Sequence, residues 1–124
     1  MEKEKFHIEY VLEKVSVNNL WPRLATSSGL SEWFADNVTE NGNIFTFYWD
    51  KYPSEAELTG INPFNYVRFH WLEEEPDTYF EFRLHKDELT GILTLEITDF
   101  SDDKNDIITL WDTQIKVLKR KLGI

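Results

Sequence analysis

Along the first dozen residues, Phe6, Ile8, Tyr10 and Leu12 alternate with His7, Glu9, Val11 and Glu13. A period of two predicts a strand over Lys5–Val15 with one buried face. The period then changes. Ser16-Val17-Asn18-Asn19 offers N-cap side chains, and Leu20, Trp21, Leu24 and Ala25 recur at helical spacing. Pro22 is expected only in a first turn, so this helix is short. Thr26-Ser27-Ser28-Gly29 is expected to break it, and Leu30, Trp33 and Phe34 suggest a second short helix or turn.

From Ala35 onward the pattern is that of strands. Asn41-Gly42 predicts a hairpin turn between a short strand, Asn37–Glu40, and a longer one, Asn43–Asp50. Over Glu55–Ile61, Glu55, Glu57 and Thr59 alternate with Ala56, Leu58 and Gly60. Ser54 and Glu57 mimic a helical capping box there, but the apolar period of two favours a strand. Asn62-Pro63 turns the chain. Asn65–Leu72 then sets Val67, Phe69 and Trp71 against Tyr66, Arg68 and His70, and Glu73–Asp77 turns it again. Thr78–His85 sets Phe80, Phe82 and Leu84 against Tyr79, Glu81, Arg83 and His85. After a loop at Lys86–Thr90, Gly91–Asp99 sets Leu93, Leu95 and Ile97 against Ile92, Thr94, Glu96 and Thr98.

The last segment is an amphipathic helix. Ile108, Trp111, Ile115, Leu118 and Leu122 step by three and four. Asp102, Asp103 and Asp106 at its start, and Lys116, Lys119, Arg120 and Lys121 at its end, complement the helix dipole. Gly123 provides a stop. Burying five large apolar side chains contributes about 10 kcal/mol before entropy, on the scale of a whole domain's net stability. The helix is therefore expected to belong to the core.

This order of elements resembles the START-like, helix-grip superfamily (SRPBCC, birch-pollen-allergen-like), and the resemblance spans nearly the whole chain. Its most specific carriers are Leu20-Trp21-Pro22-Arg23-Leu24 and Gly29-Leu30-Ser31-Glu32-Trp33-Phe34-Ala35. They are similar to the opening of the branch related to activators of the heat-shock chaperone ATPase. The close, from Leu110-Trp111-Asp112 through Ile115 and Leu118 to Leu122, looks like that branch's final helix. Small bacterial START-like domain proteins are the nearest match. The resemblance implies one α+β domain over residues 1–124. In it a curved antiparallel sheet of about seven strands wraps a long C-terminal helix, with two short helices after the first strand.

Composition narrows the function classes. The chain has 124 residues and no cysteine, which excludes a disulfide framework, a Cys-ligated zinc and a thiol nucleophile. With 13 Lys plus Arg against 23 Asp plus Glu, the formal charge is −10. That disfavours nucleic-acid backbones and anionic membranes as partners. No apolar run approaches the ~20 residues of a membrane span, and Met1-Glu2-Lys3-Glu4-Lys5 lacks a signal peptide's apolar core. A cytoplasmic domain is expected.

The candidate chemistry is thin. His7, His70 and His85 fall opposite the apolar sets among charged residues, so neither a metal nor a cofactor is expected. Asp102-Asp103-Lys104-Asn105-Asp106 lacks the Gly and closing Glu of a calcium loop. Ser27-Ser28-Gly29 has no nucleophile-elbow context, and Asn37-Val38-Thr39 matches a glycosylation sequon without a secretory signal to use it. The inward set, from Phe6 to Ile97 by strand parity, holds no charged residue and has Tyr10 as its main polar handle. Catalysis needs inward acids or bases, so it is disfavoured.

The reading that follows is noncatalytic binding of a hydrophobic small molecule between the final helix and the sheet. Tyr10, Phe47, Trp49, Phe69, Trp71, Phe82, Trp111 and Ile115 would line the site, and Trp33 and Phe34 would gate it. The alternative is a chaperone-associated or other protein-interaction module with a filled core, using a protein partner or a second copy through outward Tyr48, Tyr66 and Tyr79. A cyclase-like or hydrolase-like enzyme is the third.

Overall fold

The computed structural model describes residues 3–13 and 15–124. The elements run β1 (Glu4–Val11), α1 (Val17–Ala25), α2 (Ser27–Leu30), β2 (Asn37–Asn41), β3 (Ile44–Trp49), β4 (Tyr52–Asn62), β5 (Tyr66–Trp71), β6 (Phe80–Lys86), β7 (Leu93–Ser101) and α3 (Lys104–Leu122). The strands form one curved antiparallel sheet in the order β1-β7-β6-β5-β4-β3-β2. Strands β2 to β7 form a meander, and β1 closes the far edge against β7. The helices lie on the concave face, where the apolar half of each alternating strand is buried.

Where the elements depart from the sequence expectation, a local contact explains it. The first strand ends at Val11 because Glu13 takes a positive φ of 57°. Pairing resumes around that kink, with Leu12 N donating to Leu93 O and Leu93 N to Glu13 O, both at 2.8 Å. Lys14, within the expected strand, lies outside the described residues. Pro22 sits inside α1 rather than in its first turn. The hydrogen bond its missing N–H removes is the one to Asn18 O, and Asn18 is exposed. The stretch expected to break the helix instead starts α2. Thr26 caps it by accepting from Gly29 N at 3.0 Å, and Trp33 and Phe34 follow in a turn that donates back to Leu30 O. Gly29 permits the α1–α2 approach, since a Cβ there would lie 2.0 Å from Pro22 O.

The strand reading of Glu55–Ile61 holds, within the longer β4. The β4–β5 register slips between Leu58 and Gly60. A bulge moves every later side chain to the other face. Gly60 therefore joins Tyr66 and Arg68 on the convex face, and a Cβ there would meet the Tyr66 ring at 3.4 Å. At the C-terminus, Trp111, Ile115 and Leu118 of α3 are buried, while Ile108 and Leu122 are only half-buried. The helix thus contributes less than five full burials would, although it remains part of the core.

Candidate functional site

Rings from β3, β5 and β6, from α3 and from the turn after α2 meet on the concave face. Phe34 is at the centre. Its ring centroid lies 5.3 Å from Phe47, 5.5 Å from Trp49, 5.6 Å from Phe80 and 5.5 Å from Trp111. These are ordinary aromatic packing distances. Hydrogen bonds hold the turn in place. Phe34 O accepts from Trp49 Nε1 at 3.0 Å and from Gln114 Nε2 at 2.9 Å, which ties β3 and α3 to the same carbonyl. Trp33 Nε1 donates to Arg23 O at 2.7 Å.

The structure brings most of the expected ligand residues together, but largely against one another. Phe47, Phe69, Phe82, Trp111 and Ile115 are buried in the shared cluster. Trp33 and Phe34, expected as a gate, are buried too and lie in the core rather than at an entrance. Tyr10, the expected polar handle, is already engaged. Its hydroxyl donates to Asp112 Oδ1 at 2.6 Å, bridging β1 to α3. Burial and the Asp112 carboxylate together raise its pKa well above the usual phenol value.

Trp49 and Trp71 differ from the rest. Both keep exposed surface at the open end of the concave face, 5.9 Å apart with planes inclined at 55°. With Ser54, Glu55, Glu73 and Glu74 they line a cleft of about 190 Å³. Behind it is a recess of about 20 Å³ between Lys3, Trp71, Glu74, Thr78, Tyr79, Asp99 and Phe100. Lys3 Nζ donates to Glu74 Oε2 at 2.6 Å there. Two wider and more open hollows flank the β6–β7 loop, one beside Val15–Asn18 and one beside His85 and Thr94.

Two carboxylates escaped the parity reading. Asp99 carries the inward series Leu93, Leu95, Ile97 two residues further, so the concave set does contain an acid. The signal was there, in a strand that runs to Ser101. Burial raises its pKa to about 6, against the opposing hydrogen bonds from Trp111 Nε1 at 2.9 Å and Phe100 N at 2.7 Å. Glu81 is on the outward face as expected, yet only 4% exposed. Arg68 covers it with bonds of 3.0 and 2.8 Å, and Arg83 with bonds of 3.1 and 3.4 Å. Burial alone would raise its pKa; the bonds from Arg83 and Arg68 together outweigh that and lower it. The guanidiniums in turn stack on tyrosines, Arg68 on Tyr79 at 4.1 Å and Arg83 on Tyr66 at 4.4 Å.

The histidines are on the convex side, apart from one another. His7 Nδ1 shares a hydrogen bond of 2.8 Å with Thr98 Oγ1, and His70 Nδ1 donates to Thr78 O at 2.8 Å. His85 Nε2 lies 3.9 Å from Glu96. Among the described residues, no three His, Asp or Glu side chains converge as metal ligands would. No described helix is long and apolar enough to cross a membrane.

A curved seven-stranded sheet holding one long helix defines a helix-grip α+β protein. The START-like superfamily domain model matches residues 1–124, and the chain belongs to that superfamily. BfR322 from Bacteroides fragilis, solved in solution, is 44% identical over all of this chain and 94% of its own, with a TM-score of 0.70. The Aha1 dimer from Colwellia psychrerythraea shares the fold at a TM-score of 0.78 and 19% identity, covering 98% of this chain and 97% of its own. DynU16, from the dynemicin biosynthetic locus, matches at a TM-score of 0.77 and 15% identity, over 96% of this chain and 47% of its own. No curated protein sequence matches.

Proposed function

We propose that this protein is a noncatalytic binding domain that takes a small, partly apolar molecule at the Trp49–Trp71 end of its concave face. The observation that carries the reading is the cleft of about 190 Å³ where two inward tryptophans keep exposed surface. Small-molecule sites are concave and combine apolar walls with placed polar groups; here Trp49 and Trp71 supply the apolar wall, and Ser54, Glu55, Glu73 and Glu74 the polar one. Deeper entry between α3 and the sheet would require Phe34 to leave the cluster and give up both hydrogen bonds at its carbonyl. The half-buried acid, Asp99, speaks for scaffold rather than catalysis, because each of its oxygens accepts from a structural donor. A cysteine-free acidic chain suits the reducing cytoplasm.

The interlocked rings around Phe34 favour a second reading, an interaction module whose core is only scaffold. The solved Aha1 neighbour is a dimer, so a second copy of this chain is the partner to test first. Titration with uncharged 1-anilinonaphthalene, alongside the molar mass from light scattering, separates the two. Saturable binding near one dye per monomeric chain supports the small-molecule reading. A dimer that binds no dye replaces it with the module.

A further inference from the structure

The charge around the Trp49–Trp71 cleft has a definite sign. Glu55, Glu73 and Glu74 line it, and among the described residues no cation does. Lys3 pairs with Glu74 at the adjoining recess. That contact shows the wall accepting an ammonium group from the chain itself.

The convex face supplies an internal comparison. Tyr66 is covered by Arg83, and Tyr79 by Arg68 and Lys5. Among the described residues no cation lies over either Trp49 or Trp71, although indole faces attract cations more strongly than phenol rings do. The two indoles, inclined at 55°, both form part of the cleft wall beside carboxylates. A volume of about 190 Å³ accommodates a methylated ammonium head group, which has apolar methyls for the rings and a diffuse positive charge for the acids.

We propose that this cleft is a site for an organic ammonium ion. The inference rests on the small-molecule reading above and gives that ligand its chemical class. Tetramethylammonium and tert-butyl alcohol, nearly alike in size and differing in charge, test it. Each is titrated at low, matched ionic strength while the indole N–H resonances of Trp49 and Trp71 are followed by NMR, with the anilinonaphthalene dye run in parallel. The expected result is saturable shifts of both indoles with tetramethylammonium, at least tenfold weaker binding of the alcohol, and at least threefold weaker cation binding in Glu73→Gln. Glu73 is an exposed turn residue, so that variant keeps the fold; its unchanged melting temperature verifies this. Equal binding of cation and alcohol, or an unaffected Glu73→Gln, overturns the ammonium assignment and leaves the small-molecule reading standing. Binding of neither probe nor dye by the folded protein overturns both.

Discussion

Asp99 is the residue through which this protein's stability should respond to mild acid. Its carboxylate is held inside the concave face, and burial raises its pKa from 3.8 to about 6. A raised folded-state value means that the native state binds the proton more tightly than the unfolded chain. The charged form is then a native-state penalty above pH 6. At about 1.4 kcal/mol per pKa unit it amounts to about 3 kcal/mol at neutral pH. Acidification to pH 4.5 recovers about 2 kcal/mol of it. Asp99→Asn removes the charge, but an amide has one acceptor oxygen for two donors, Trp111 Nε1 and Phe100 N. Losing one acceptor costs about 1–3 kcal/mol. The variant should therefore be close to wild type in stability at pH 7 and less stable than wild type by about 2 kcal/mol at pH 4.5. Urea unfolding of both proteins at the two pH values measures the difference, and the shared behaviour of all other carboxylates cancels. If the gap between wild type and variant is the same at both pH values, Asp99 is not the titrating group and the burial argument is wrong.

Glu81 should respond in the opposite direction. Its lowered pKa gives stability that is present above the unfolded value near 4.5 and lost as pH falls through the folded one. Glu81→Gln should cost roughly 2–3 kcal/mol at pH 7 by leaving Arg68 and Arg83 without their buried partner, and urea unfolding should show that gap from wild type narrowing as pH falls from 7 toward 3. Gly29→Ala should cost about 2 kcal/mol or more, since its Cβ would overlap Pro22 O; a melting temperature within a degree of wild type would contradict that contact. Phe34→Ala should cost about 3–5 kcal/mol and open a dye-binding space between α3 and the sheet that the intact protein lacks. Unchanged dye stoichiometry in a folded variant would show that the neighbouring rings collapse into the gap.

Alternation along each strand was enough to assign the concave face before any contact was known, because side chains in a strand have a strict period of two. Phe45, Phe47, Val67, Phe69, Phe80 and Phe82 are all buried there, and the three- and four-residue steps of Trp111, Ile115 and Leu118 likewise identified the buried stripe of α3. The resemblance carried by Trp21-Pro22 and Trp33-Phe34 pointed to the helix-grip order that the sheet shows. What depended on tertiary structure was how much space those residues leave. Phe34 reads as a gate from its position after a short helix. Only the bonds from Trp49 and Gln114, 15 and 80 residues away in the chain, turn its ring into the centre of the core. Parity also cannot register a bulge, so it misplaced Gly60; Asp99 continues the inward series within the expected strand Gly91–Asp99, but its enclosure depends on Trp111 of α3. Nor does it distinguish an outward carboxylate in water from one such as Glu81, which two arginines from different strands cover. Local periodicity determines direction; burial, charge state and free volume are sums over neighbours that only the folded chain assembles.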